Sequence, residues 1–124
     1  MKRSRLPRIV LVHDVPEFAD TTAAALWDAG YDVTVFTNTM SALDAFDAEN
    51  GIDVLITRVG FSEGQPHGVA LAQMARVRRP GIKVLFVGVP ERREHTEGLG
   101  ELLTAPVTAT DVVETVGKML AAGQ

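Results

Sequence analysis

The residues best placed to do chemistry in this chain are His13 and Asp14, which close the apolar run Ile9-Val10-Leu11-Val12, and Arg58, which closes Ile52-Asp53-Val54-Leu55-Ile56-Thr57. A carboxylate can hold a hard cation, and an imidazole can move a proton or bind a metal. A guanidinium can pair with an anion but stays charged. With no cysteine in the chain, thiolate nucleophiles, thiolate metal centres and disulfides are excluded. His13, His67 and His95 fall on separate segments without metal-motif spacing, so they are read as hydrogen-bonded or solvated, and no metal site is expected. The glycines between Val59 and Gly68 could cradle an anion. No glycine pattern follows the first apolar run, however, where a nucleotide or flavin phosphate would sit, and the segment is read as a turn-rich loop.

Short β-branched runs alternate along the chain with longer alanine-rich stretches of helical spacing, the order expected of βαβ units. The first strand is Arg8 to His13, and its four consecutive apolar residues suit a strand covered on both faces. Pro16 fits the first turn of a helix with Asp14 or Val15 as its cap, a face of Phe18, Thr22, Ala25, Leu26 and Ala29, and Gly30 as its stop. Tyr31 to Phe36 alternates as a strand near an edge. A second helix, capped by Thr39 or Ser41 and carrying Leu43 and Phe46, then ends at Asn50-Gly51. Strand three closes at Arg58, and a helix presenting Val69, Leu71, Ala72, Ala75 and Val77 runs to Pro80-Gly81. Ile82 to Val87 and Glu101 to Thr104 are strands four and five. The last helix starts at Thr108-Ala109-Thr110-Asp111 with a stripe of Val112, Val113, Val116, Met119 and Leu120. Met40, Met74 and Met119 are read as core filler.

At 124 residues and 46% apolar, the chain can bury one core. A basic tail over residues 1–7 is expected ahead of a single domain over 8–122. The net charge of −4 gives no case for nucleic acid, and no apolar run is long enough to insert in a membrane. A cysteine-free chain suits the cytoplasm. Five parallel strands with right-handed crossovers form a doubly wound α/β sheet, whose crevice lies at the carboxyl ends of the strands.

The segments Ile9-Val10-Leu11-Val12-His13-Asp14-Val15-Pro16, Ile52 to Arg58, Gly68-Val69-Ala70-Leu71-Ala72, Arg79 to Val87 and Leu102-Leu103-Thr104-Ala105-Pro106 follow one another with the spacing of a known family. Together they resemble a response-regulator receiver domain of the CheY-like kind from about Arg8 to Leu120. The resemblance implies a flavodoxin-like sheet of order 2-1-3-4-5. It also implies an acidic pair after strand one, a phosphorylatable aspartate ending strand three, a hydroxyl after strand four, and a lysine before the strand-five proline. At those positions stand His13 with Asp14, Arg58, Gly88, and Ala105 before Pro106, and the strand-five aromatic is replaced by Leu102. No aspartate occurs between Val54 and Thr110, so shifting the register of strand three recovers no acceptor.

A degenerate pocket of His13, Asp14, Arg58, Gly88, Ala105 and Pro106 is therefore expected, with magnesium binding weak or lost and no cofactor. Neighbouring parallel strands bring the ends of strands one and three within roughly 5 Å, so Arg58 is expected to pair with Asp14. The function this implies is a non-enzymatic pseudo-receiver, a protein-interaction module of a two-component pathway. Its partner would be a histidine kinase or another regulator, with a homodimer as a further expectation. No output domain is expected after Gln124, so the module would act by docking unless the sequence belongs to a longer protein. Phe61, Gln65 and His67 in the loop after strand three, together with Leu102, are candidate partner contacts. The helix between strands four and five is expected to be shortened, because Pro90 to Gly98 has almost no apolar residue to anchor it. The alternative is a small doubly wound domain binding a nucleotide, flavin or other anion around Asp14, Arg58 and Gly88.

Overall fold

Runs of buried β-branched and leucine residues form the middle of a five-stranded parallel sheet in order β2-β1-β3-β4-β5. A computed structural model describes residues 6–48, 51–60, 68–88 and 96–122. The strands are β1 (Arg8–Val12), β2 (Asp32–Phe36), β3 (Ile52–Arg58), β4 (Lys83–Gly88) and β5 (Glu101–Thr104). Among the described residues the helices are α1 (Pro16–Asp28), α2 (Thr39–Ala48), α3 (Gly68–Arg78) and α4 (Ala109–Ala122). The sheet order and parallel sense agree with the sequence reading, as does the edge position of β2. Thr96 is helical and Glu97 to Leu99 form a turn ahead of β5, and the rest of the expected shortened helix lies outside the described residues.

Period-two alternation divides the side chains of β1, β3, β4 and β5 between two cores. One packs Val10, Val12, Leu55, Val84 and Phe86 against Ala42 and Phe46 of α2 and Leu71, Ala72 and Ala75 of α3. The other packs Ile9, Leu11, Val54, Ile56, Leu85 and Val87 against Ala23 and Leu26 of α1 and Val112, Val116 and Met119 of α4. Each large apolar side chain so enclosed contributes about 1.5–3 kcal/mol relative to exposure. Between Arg8 and Ile9 the β1–β3 register slips, and the Asp53 carboxylate accepts the Arg8 N–H at 2.8 Å, replacing a bond the ladder would have made.

Helix boundaries follow their caps. Val15 precedes Pro16 at the start of α1 without a side-chain cap, and Gly30 takes φ +98° at its end. The α2 cap is Asn38, whose Oδ1 accepts the Ser41 N–H at 2.9 Å, not Thr39 or Ser41. Thr108 and Asp111 cap α4 reciprocally, each accepting the other's backbone N–H at 3.0–3.1 Å.

Three expected core positions are corrected. Val77 is 80% exposed, because the buried stripe of α3 is Gly68, Leu71, Ala72 and Ala75, and Val77 lies two residues, about 200° of helix, past Ala75. Met40 and Met74 are also exposed, and only Met119 is core. On α1 the inward face is Ala19, Thr22, Ala23 and Leu26, with Ala29 exposed at the cap.

Gly100, just ahead of β5, makes a close approach to β4. A Cβ there would stand 2.2 Å from the Val84 carbonyl oxygen, although its φ is not left-handed. Gly100→Ala is therefore expected to lower stability by about 1–3 kcal/mol through this collision, read from urea denaturation. An alanine variant as stable as the parent would show that β5 does not need this approach.

Candidate functional site

The site is built where β1 and β3 run out of cover. The His13 N–H donates to the Phe36 carbonyl at 3.0 Å, extending the β1–β2 ladder one residue past Val12. Alternation then turns the imidazole toward α1, where it lies 4.5 Å from the Phe18 ring at a 35° tilt. His13 is only 6% exposed, and its Nδ1 accepts the Val15 N–H at 3.1 Å, leaving the proton of the neutral ring on Nε2.

Asp14 follows β1 and meets Arg58 at the end of β3, with Arg58 Nη1 donating to Asp14 Oδ1 at 2.6 Å. The contact expected from adjacent strand ends is thus present. Both side chains keep partial access to water, Arg58 at 39% and Asp14 at 26%. Burial pushes the Asp14 carboxyl up, but the hydrogen bond and charge of Arg58 and the residue's own backbone N–H outweigh it, holding the group below the usual carboxylate range. Burial is the largest effect on His13 and the charge of Arg58 the next. Together they overcome the attraction of Asp14 and lower its pKa from 6.5 to about 4.

The backbone of Arg58 is held by close approach. A Cβ on Gly68, the first residue of α3, would stand 1.7 Å from the Arg58 carbonyl oxygen, and the Thr57 hydroxyl donates to that same oxygen at 3.0 Å. Gly88 ends β4 half-buried, and a Cβ there would stand 2.8 Å from Val59 Cγ2. Val59, read from the sequence only as a turn residue, is a buried member of the α2/α3 core. Its one signal in the sequence was an apolar β-branched residue directly after a strand.

Ala105 and Pro106 are exposed beside this end of the sheet, with the Ala105 N–H donating to the Gly88 carbonyl at 2.9 Å. Leu102 is half-buried and packs against the α2/α3 core. The other three candidate contacts, Phe61, Gln65 and His67, lie outside the described residues, as does His95. A hollow of about 690 Å³ lies at the opposite, amino-terminal end of β4 and β5, lined by Arg76, Lys83, Glu97, Glu101 and Leu102 among others. Its charges are mixed, and the ion pair is not part of its wall.

Among the described residues the donor set does not fit a divalent cation. A hard cation needs several oxygen ligands, whereas here one carboxylate already faces a guanidinium and the adjacent imidazole spends Nδ1 on the backbone. Among the described residues no cluster of three or more His, Asp or Glu side chains could hold a metal. No helix among them is long and apolar enough to cross a membrane.

No protein-family model matches the chain. Solved structures are similar over nearly its whole length. A response-regulator receiver protein from Sinorhizobium medicae has a TM-score of 0.85 at 23% identity, covering 96% of this chain and 98% of its own. A CheY-like receiver domain from Methanospirillum hungatei has a TM-score of 0.83 at 23% identity, covering 95% and 96%. A chemotaxis response regulator of Vibrio cholerae has a TM-score of 0.80 at 19% identity, covering 91% and 98%. The chain therefore has the receiver fold, and its chemistry must be read from its own strand ends.

The charge states carry a pH dependence. The unfolded chain protonates His13 near 6.5 but the folded protein only near 4, so the unfolded state takes up its proton first as the pH falls. The stability contributed by the neutral buried ring is whole above about pH 6.5 and is lost toward pH 4. About 2 kcal/mol should disappear between about pH 7.5 and 5 in urea denaturation. His13→Asn, which can still accept a bond but does not titrate, should flatten that decline. An equal decline in the variant would remove His13 as its source.

Proposed function

We propose that this chain is a non-phosphorylatable pseudo-receiver, acting without catalysis as a protein-interaction module of a two-component pathway. Its partner is a cytoplasmic signalling protein, a histidine kinase or another regulator. The observation that carries this reading is the 2.6 Å bond from Arg58 Nη1 to Asp14 Oδ1 at the carboxyl ends of β1 and β3. An aspartyl acceptor needs a carboxylate at the end of β3 and a cation to neutralise the phosphoryl charge during transfer. Arg58 supplies a positive charge but no nucleophilic oxygen, and it occupies the Asp14 carboxylate beside it. Gly88 and Ala105 offer neither a hydroxyl nor an amine. Such a site holds one electrostatic state whatever the phosphodonor supply, which suits a module that presents a constant surface to its partner.

A second reading, an anion-binding crevice, is favoured by the partial exposure of the Arg58 guanidinium. Asp14, already paired with it, weighs against a further anion there. Thermal denaturation with inorganic phosphate, nucleotides and flavin separates the two. Saturable stabilisation of several degrees that is lost in Arg58→Met would favour the ligand.

Incubation with acetyl phosphate and magnesium is expected to leave the intact mass unchanged. A phosphoryl adduct mapped to an aspartate would sink the proposal. Arg58→Asp tests the pair directly, since it sets two carboxylates against each other. It should cost about 1–2 kcal/mol in chelator and regain stability as millimolar magnesium is added. Full parental stability in chelator would show that Arg58 does not balance Asp14.

A further inference from the structure

Val59 and Gly88 lie together at the carboxyl ends of β3 and β4, and Leu102 of β5 reaches them on the α2/α3 face. Val59 is 2% exposed and held on both sides, its N–H donating to the Val87 carbonyl at 3.1 Å and its carbonyl accepting the Gly68 N–H at 2.9 Å. Its Cγ2 and Cβ stand 2.8 and 3.3 Å from where a Gly88 side chain would begin, and Leu102 Cδ1 stands 3.8 Å away. Gly88 does not have a left-handed φ, so space alone, and not backbone conformation, demands glycine there. Beyond Gly88, its carbonyl accepts the Ala105 N–H at 2.9 Å, tying the end of β4 to the exit of β5.

We propose that Val59 and Gly88 are a size-matched pair that fixes the end of β4 in one position and packs the ends of β3 and β4 against Leu102 of β5 as a single apolar block. The edge of the sheet shown to a partner is then constant. This deepens the non-acceptor reading above and rests on it. Arg58 closes the crevice by charge on the α1 side of the sheet, while Val59 closes it by volume on the α2/α3 side. A hydroxyl restored at position 88 would find its space already taken by hydrocarbon, so chemistry cannot be returned to this site one residue at a time.

The pair is tested by a double-mutant cycle on the full chain in urea. Gly88→Ser and Val59→Ala should each lower the denaturation midpoint, the first by collision and the second by leaving a cavity. The double variant should unfold at or above the midpoint of Gly88→Ser alone, because each change relieves the other. Gly88→Ala, which adds only the Cβ, gives the same comparison if the serine variant does not fold. Relaxation dispersion at the amides of Val59, Gly88, Leu103 and Ala105 should be flat in the parent and show microsecond-to-millisecond exchange in Val59→Ala. Additive losses in the cycle, or exchange at these amides in the parent, overturn the lock. A phosphoryl adduct on the parent would overturn the non-acceptor reading without altering the cycle, so the two failures are told apart.

Discussion

One guanidinium, set where two fully covered parallel strands end, holds the carboxylate beside it ionised and adds to the burial that keeps the next imidazole neutral. Strands β1 and β3 are enclosed by helices on both faces, so their side chains meet water only near the ends. A cation placed there needs a partner, and Asp14 is the carboxylate that strand adjacency supplies. The paired Arg58 holds Asp14 ionised, and burial first and the charge of Arg58 second hold the neighbouring imidazole neutral. A carboxylate at position 58 would reverse both pressures, repelling Asp14 and favouring the imidazolium. Asp14 thus owes its ionised state to a residue forty-four positions away in the sequence.

Backbone proximity is the second constraint, and it acts through absent side chains. Gly68 lets the Arg58 carbonyl lie against the start of α3, Gly88 gives its side-chain space to Val59, and Gly100 lets the chain enter β5 against Val84. None of the three takes a left-handed φ, in contrast to Gly30 and Gly98, which serve turns. Their requirement is room. A site framed by such approaches has little freedom to shift, because overfilling a packed strand end costs energy in every direction.

The order of strands and helices was legible because it rests on period: uninterrupted apolar runs for the covered strands, alternation for β2, and a regular stripe for α4. The Asp14–Arg58 contact was legible for a related reason, since strand adjacency and opposite charge sufficed once β1 and β3 were taken as neighbours. Position on a helix was harder to read where apolar residues outnumbered the buried stripe, as Val77, Met40 and Met74 show. The role of Val59 was hidden by its neighbours, because a valine at the head of a glycine-rich stretch looks like the start of a loop. The space its side chain fills is one that a side chain on Gly88, twenty-nine residues away, would contest. Asn38 was missed as a cap because Thr39 and Ser41 also carry capping side chains, and only the path of the backbone selects among them.

Fold and chemistry separate along this same division. Similarity to receivers at TM-scores of 0.83 and 0.85 persists at 23% identity because the buried pattern that specifies the sheet accepts many apolar residues of about the right size. The strand ends lie outside that pattern, so they can change type without unfolding the sheet, provided charge and volume are balanced locally. Here charge is balanced by Asp14 with Arg58, and volume by Val59 with Gly88. Both balances join residues that the fold brings together from separate strands, which is why neither can be read from one segment of the sequence alone.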